Sequence, residues 1–335
     1  MSNTHPPLNF GIIGCGRVVE RRVAPAIGEA PNARIAAFCS RDASKARVFA
    51  RLFGIEKSYH DIDALLADGD VHAVYIAVPN SLHAELAIRC LRAGKHVLVD
   101  KPMALDSAQA SAMVNVARDC RRTLGVLHQQ RFHPANQQLF AAIRNGDLGT
   151  IHFIRAHMGF WYSLGENWRL ERALSGGGAA MDLAPHALDI LLQAAGPIKT
   201  VDARSYNLHF QGNVEDMCTA LLEFHDGAVG QVDFSYCTHH YGGRIEVYGS
   251  EGTFLADGSL QQGDAYRIAR RQGSEDLPIE EGQTPSCFKL IIEDFAEAIR
   301  ENREPTVSLN DGLRVMQTID ALYESSRTYR PADVR

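Results

Sequence analysis

The chain has 335 residues, 45% of them hydrophobic and 22% charged, the balance of a globular protein long enough for two domains. Its net charge is −6 with no block of like charges, so it offers no electrostatic footprint for nucleic acid or an anionic membrane, and a small molecule is the expected partner. Residues 1–9 hold no apolar h-region, no apolar run nears the roughly 20 residues of a membrane helix, and the seven scattered cysteines form no CxxC pair, which predicts a cytoplasmic protein with reduced, buried thiols.

Up to about residue 130, short β-branched runs alternate with helical stretches. Strands are predicted over 8–13, 34–39, 57–59, 72–78, 96–99 and 123–127, with helices over 17–29, 43–52, 62–67, 82–93 and 107–120 between them. Asp42, Asp61 and Ser81 are placed to cap helix starts, and Gly54 and Gly94 follow helix ends. The run from His72 to Pro79 is nearly all apolar, as a strand covered on both faces should be. This alternation predicts an α/β domain over 1–130: a doubly wound parallel sheet with right-handed crossovers.

From residue 131 the pattern changes. A helix over 135–144 leads to a strand over 150–158, an irregular aromatic segment and a helix over 182–195. Strands are predicted over 201–210, 218–225, 228–236, 244–248 and 253–256, with Asp226-Gly227 marking a hairpin, and helices over 288–300 and 313–325 close the chain. Residues 131–335 therefore read as a second, α+β domain with a large, mostly antiparallel open sheet.

The first strand runs into Gly14-Cys15-Gly16-Arg17-Val18-Val19. A strand, a tight glycine turn and a helix N-terminus present unpaired N–H groups and the positive end of the helix dipole to a pyrophosphate, the arrangement of a Rossmann dinucleotide site. The third position of the fingerprint is Val19, not Gly or Ala. After the second strand, where an acid would hold the ribose 2′-OH of NAD, the chain has Ser40 and Arg41, with Lys45 a turn later. These favour the 2′-phosphate of NADP over NAD, because Arg binds phosphate through two parallel hydrogen bonds. Asp42 argues the other way.

Val78-Pro79-Asn80-Ser81-Leu82-His83, then Ala93-Gly94-Lys95-His96-Val97-Leu98-Val99-Asp100-Lys101-Pro102, then Ser175-Gly176-Gly177-Gly178 before Asp182-x-x-x-His186, follow the glycine loop in order. Together they resemble the Gfo/Idh/MocA oxidoreductase family, the glucose–fructose oxidoreductase and inositol dehydrogenase group, from Phe10 to about Tyr329. The Trp168-Arg169-Leu170-Glu171-Arg172 stretch and the Ser-Arg pair look most like the branch that includes NADPH-dependent 1,5-anhydrofructose reductases. The family's Glu-Lys-Pro motif aligns with Asp100-Lys101-Pro102, so an acid one methylene shorter stands here. The resemblance implies that Lys101 lies near the nicotinamide and the reacting carbon, and that the 78–83 segment, Asp100 and Trp168-Arg169 serve the cofactor. It also implies a sugar, polyol or related hydroxy compound as substrate, and a homodimer or homotetramer built on the second-domain sheet.

The chemistry is legible beside the name. Oxidising an alcohol needs a proton acceptor, and Asp182 and His186, four apart, project from one helical face. Neutral His is a suitable base, a carboxylate beside it can orient it or stabilise its cation, and Lys101 would favour developing alkoxide. The glycine run would let cofactor or substrate approach closely, while Pro185 requires either a kink or a helix whose first turn holds Asp182. His239-His240 has no third ligand at useful spacing, so no metal is expected. Phe160, Trp161 and Tyr162 fit either a sugar site or a hinge, or equally the core. Two other functions share this scaffold: NAD-dependent glycoside hydrolysis through transient oxidation, and a cofactor-binding regulator without turnover.

Overall fold

The computed structural model describes residues 6–162, 167–210, 212–261 and 265–335. Residues 1–5, on which the reading of the N-terminus partly rests, and 163–166 of the aromatic segment lie outside them. Two compact units are formed, by residues up to Gln129 with Ser286–Leu313, and by Gln130–Pro285 with Arg314–Arg335.

The first unit is a six-stranded parallel sheet of β1 (Leu8–Ile13), β2 (Ala33–Cys39), β3 (Lys57–Tyr59), β4 (Ala73–Ile76), β5 (His96–Val99) and β6 (Leu124–Val126), in the order β3-β2-β1-β4-β5-β6. The order reverses beside β1, so the glycine loop after Ile13 sits where doubly wound sheets open a crevice. Gly14 is required there. Its φ is +103°, and a Cβ would stand 2.1 Å from the Ala77 carbonyl oxygen beyond β4.

The chain passes from the first unit to the second after Gln129, and Ser286–Leu313 belong again to the first. Phe295, on the helix Cys287–Glu301, packs its ring 6.1 Å from that of Phe10, and Gly125 leaves the space it needs, since a Cβ there would meet the Phe295 ring at 3.0 Å. Burial of such a ring contributes about 1.5–3 kcal/mol, which draws this helix onto the sheet despite its distance in sequence.

Caps explain several helix starts and one departure. Asp42 and Asp61 cap as expected, the Asp42 carboxylate accepting the N–H groups of Ser44 and Lys45 at 2.8 and 3.2 Å. Ser81 does not cap; it lies inside a 3-10 turn, Asn80–Leu82, that feeds the helix His83–Arg92. The helix after the glycine loop widens to a π turn over Val19–Val23, with the Ala24 N–H reaching back to the Val19 carbonyl. Pro25 follows directly; lacking an N–H and crowding the preceding turn, it accounts for the wider register.

In the second unit β7 (Ile151–Trp161), β8 (Ile198–Tyr206), β9 (Met217–Phe224), β10 (Val229–Ser235), β11 (Cys237–Gly249), β12 (Gly252–Asp257), β13 (Ala265–Gln272), β14 (Glu275–Asp276), β15 (Glu280–Gln283) and β16 (Ala332–Asp333) form a ten-stranded sheet. Its pairings are antiparallel except β7 with β10. The hairpin at Asp226-Gly227 joins β9 to β10, with Gly227 at φ +88°. Strand β7 extends through Phe160 and Trp161, which the sequence left irregular. The arginine-rich β13 and the short β14, β15 and β16 lack the apolar alternation that reveals a strand. Five cysteines are buried as expected; Cys120 and Cys237 are only partly so, and all seven are free thiols. Among the described residues no helix is long and apolar enough to cross a membrane.

Candidate active site

Every cofactor residue expected from the first domain stands at or just past the C-terminal end of a strand of the parallel sheet: Gly14, Cys15, Gly16, Arg17 and Val18 after β1, Ser40, Arg41 and Lys45 after β2, Val78, Pro79, Asn80 and His83 after β4, Asp100 and Lys101 after β5. A dinucleotide fits this edge. A Cβ on Gly16 would meet nothing within 4 Å, and the helix beginning at Arg17 leaves its first N–H groups for a ligand. Burial pushes the Cys15 thiol up to about 11, against the pull of the Lys45 ammonium.

Asp42, the residue that spoke for NAD, is committed to its helix cap, with its own N–H on the Ser40 hydroxyl at 3.3 Å. Arg41 is exposed and has no hydrogen-bond or ion-pair partner among the described residues.

His83 does not face outward. Its ring is buried between two backbone carbonyls, Nδ1 2.8 Å from Pro102 and Nε2 3.0 Å from Val78. Burial holds the ring below the usual imidazole range, and the Asp100 charge and the two carbonyls oppose that shift. The ring ties the segment after β4 to the Lys101–Pro102 turn. Asp100 accepts the Lys101 N–H at 2.9 Å, and its charge reaches the buried Tyr75 phenol, which burial first and Asp100 second hold well above the usual range.

Trp168, Arg169 and Asp182 come together in the second unit, and His186 lies buried one helical turn after Asp182. The helix bearing the last two runs unbroken over Ala179–Ala195, starting three residues earlier than predicted, so Asp182 is in its first turn and Pro185 in its interior. An interior proline costs about 3 kcal/mol or more, and the helix is anchored on both sides of it. At its start the buried Glu215 accepts the N–H groups of Gly178 and Ala180 at 2.9 and 3.0 Å and the Tyr323 hydroxyl at 2.7 Å. Burial raises the Glu215 carboxyl, and these bonds oppose it. Beyond the proline, Asp189 is held bidentately by Arg131, both side chains almost fully buried.

The glycine run is explained by this packing, not by an approaching ligand. A Cβ on Gly177 would lie 1.8 Å from the Tyr323 hydroxyl and one on Gly178 1.8 Å from the Glu215 carbonyl oxygen. Breaking the Arg131–Asp189 pair leaves a buried charge unpaired, so Asp189→Ala should lower stability by about 3–5 kcal/mol in denaturant unfolding. Arg131→Met with Asp189→Leu should recover most of that; a single variant within about 0.5 kcal/mol of native, as at an ordinary surface site, would show that the pair anchors nothing.

Asp182 is held by a hydroxyl and a guanidinium. The Tyr236 hydroxyl donates to its Oδ2 at 2.8 Å, and Arg169, stacked over Trp168 at 4.6 Å, brings Nε to 3.8 Å. Tyr236 sits among Tyr162 and Phe160, ring centroids 4.8 and 5.7 Å away. Phe160 and Tyr162 thus join the candidate site, whereas the intervening Trp161 stacks on His239 at 4.3 Å, as strand alternation requires. The side chain of His240 lies outside the described residues. Tyr236, Glu215 and Arg131 carry no local mark in the sequence. Asp189 does: it extends the Asp182–His186 spacing by one further turn.

Residues 8–128 match the oxidoreductase family GFO/IDH/MocA, NAD-binding Rossmann fold, and residues 136–255 the GFO/IDH/MocA C-terminal domain. The chain is 28% identical to the 1,5-anhydro-D-fructose reductase of Ensifer adhaerens over 331 residues, 97% of this chain and 98% of that protein. It is 30% identical to the dTDP-3,4-didehydro-2,6-dideoxy-alpha-D-glucose 3-reductase of Actinomadura kijaniata over 338 residues, 96% of each. In structure it is similar to the aldose-aldose oxidoreductase from Caulobacter crescentus complexed with glycerol, with a TM-score of 0.91 and 29% identity over 98% of this chain and 99% of that one.

Proposed function

From the premise that this chain belongs to the GFO/IDH/MocA family and is an NAD(P)-dependent oxidoreductase, we propose that it moves a hydride between NADP and a hydroxyl-bearing carbon of a sugar, polyol or related small compound. The observation that carries this reading is the Asp182 carboxylate, held by Tyr236 and Arg169 one helical turn from His186. The bound cofactor supplies the hydride acceptor. Gly14 to Val18 hold its pyrophosphate, and Ser40, Arg41 and Lys45 its 2′-phosphate. Val78, Pro79, Asn80 and Asp100 flank it, with His83 bracing their segment. Lys101 stabilises alkoxide character at the reacting carbon, His186 takes the hydroxyl proton, and Asp182 orients that imidazole and stabilises its cation. Trp168 and Arg169 close on cofactor or substrate, and Phe160 and Tyr162 offer aromatic faces to a sugar ring. Self-association as a dimer or tetramer uses the sheet face on which Leu221 and Val229 stand exposed.

A panel of sugars and polyols with NADP and NAD, followed by nicotinamide absorbance, tests the activity. Stoichiometric cofactor reduction is expected; substrate cleavage with no net cofactor change would make it a glycoside hydrolase, and no turnover a regulator. Cofactor choice has its own test. Arg41→Ala should weaken NADP by about 1.5–3 kcal/mol, the range of a charge-assisted bond, and leave NAD binding nearly unchanged in fluorescence titration. Equal losses for both would remove the 2′-phosphate from Arg41.

A further inference from the structure

The opposite edge of the parallel sheet, where β5 and β6 begin at His96 and Leu124, carries a hollow of about 300 Å³ within the first unit. Its floor is apolar, from Ala117, Leu124 and Ile299, and Arg118, Arg121 and Arg122 stand around it. The arginines around it are not all neutralised. Arg303, also lining the hollow, is neutralised by Asp294 and Glu301 at 3.0 and 2.8 Å. Among the described residues Arg118 meets only a neutral amide, the Asn310 oxygen at 2.9 Å, and Arg122 only the Gly94 and Arg121 carbonyls. The Arg121 guanidinium has no hydrogen-bond or ion-pair partner among the described residues.

What opposes these charges is small. Glu304 is the one carboxylate lining the hollow among the described residues. The helices Ser107–Cys120 and Cys287–Glu301 end here, each adding roughly half a negative charge. A positive excess remains in a chain whose net charge is −6. His96 Nδ1 accepts the Thr123 N–H at 3.0 Å, and burial, followed by the Arg122 charge, pushes the ring down to about 4.

We propose that this hollow binds a small organic phosphate, its dianionic head on Arg121 and Arg118 and its short carbon body on the Ala117–Leu124 floor. Guanidinium forks match phosphate oxygens bidentately, and the volume is at the lower limit of small-molecule sites, too small for a dinucleotide. The site is separate from the glycine-loop edge, so it is a second ligand site and not part of the redox machinery.

Glycerol 3-phosphate, titrated at constant ionic strength against the full-length protein saturated with NADP, tests it by thermal unfolding. The cofactor occupies the other phosphate-binding surface. A saturable rise in Tm is expected, lost in the Arg118→Gln/Arg121→Gln variant while turnover stays native. The proposal is overturned by a rise no larger than sodium chloride gives, or by one that survives in the variant. Should the double variant fold poorly, Arg121→Gln alone must raise the half-saturating concentration; an unchanged value overturns the proposal equally.

Discussion

Replacing His186 by alanine should lower turnover in alcohol oxidation by about 10²–10⁴, the loss expected when a general base is removed, and flatten the acid limb of the pH profile. In that direction the imidazole must be neutral to accept a proton, so kcat/KM should rise with pH through one ionisation as the imidazolium is lost. The structure sharpens the companion variants. Asp182→Asn keeps the shape but loses the charge that Tyr236 and Arg169 hold in place, so the rate should fall less than for His186→Ala. Tyr236→Phe removes one hydrogen bond to that carboxylate and should cost less again. The pH dependence of kcat/KM for all three, measured with one substrate and one cofactor, checks the order. A His186→Ala enzyme that kept its rate and its acid limb would move the proton acceptor to another group, with Lys101 the first candidate.

Lys101→Ala should reduce kcat by about 10² or more while cofactor affinity changes by no more than about tenfold. The backbone around Lys101 is fixed from both sides: Asp100 accepts its N–H, and the His83 ring meets the Pro102 carbonyl. Removing the side chain therefore leaves the turn in place and deletes the positive charge proposed to face the developing alkoxide. Single-turnover kinetics beside a cofactor titration separate the two effects. Near-native kcat with weakened cofactor binding would make Lys101 an anchor for the cofactor and not a participant in the chemistry.

Much of this arrangement was readable before any coordinates. The six strand–helix alternations, the glycine turn and the order of the later motifs are local patterns, and local patterns are what a sequence displays. Two features escaped because their causes are distant partners. The triple glycine looks like an opening for a ligand until Tyr323 and Glu215 are seen to fill the space beside Gly177 and Gly178. The return of Ser286–Leu313 to the first unit depends on Phe295 finding Phe10 and Gly125. Nothing within that helix, amphipathic like many others, says which sheet it covers.

The distribution of thiols has a practical use. Burial pushes Cys15, Cys39 and Cys287 up to about 11 and Cys90 and Cys218 up to about 12. Those five stay protonated and shielded near neutral pH, where alkylating reagents need an accessible thiolate. Cys120 and Cys237 are the partly exposed pair, one in each compact unit. Without engineering a single residue, maleimide dyes can therefore be directed to one point on each unit, and energy transfer between them would report the separation of the two units as cofactor and substrate are added in turn.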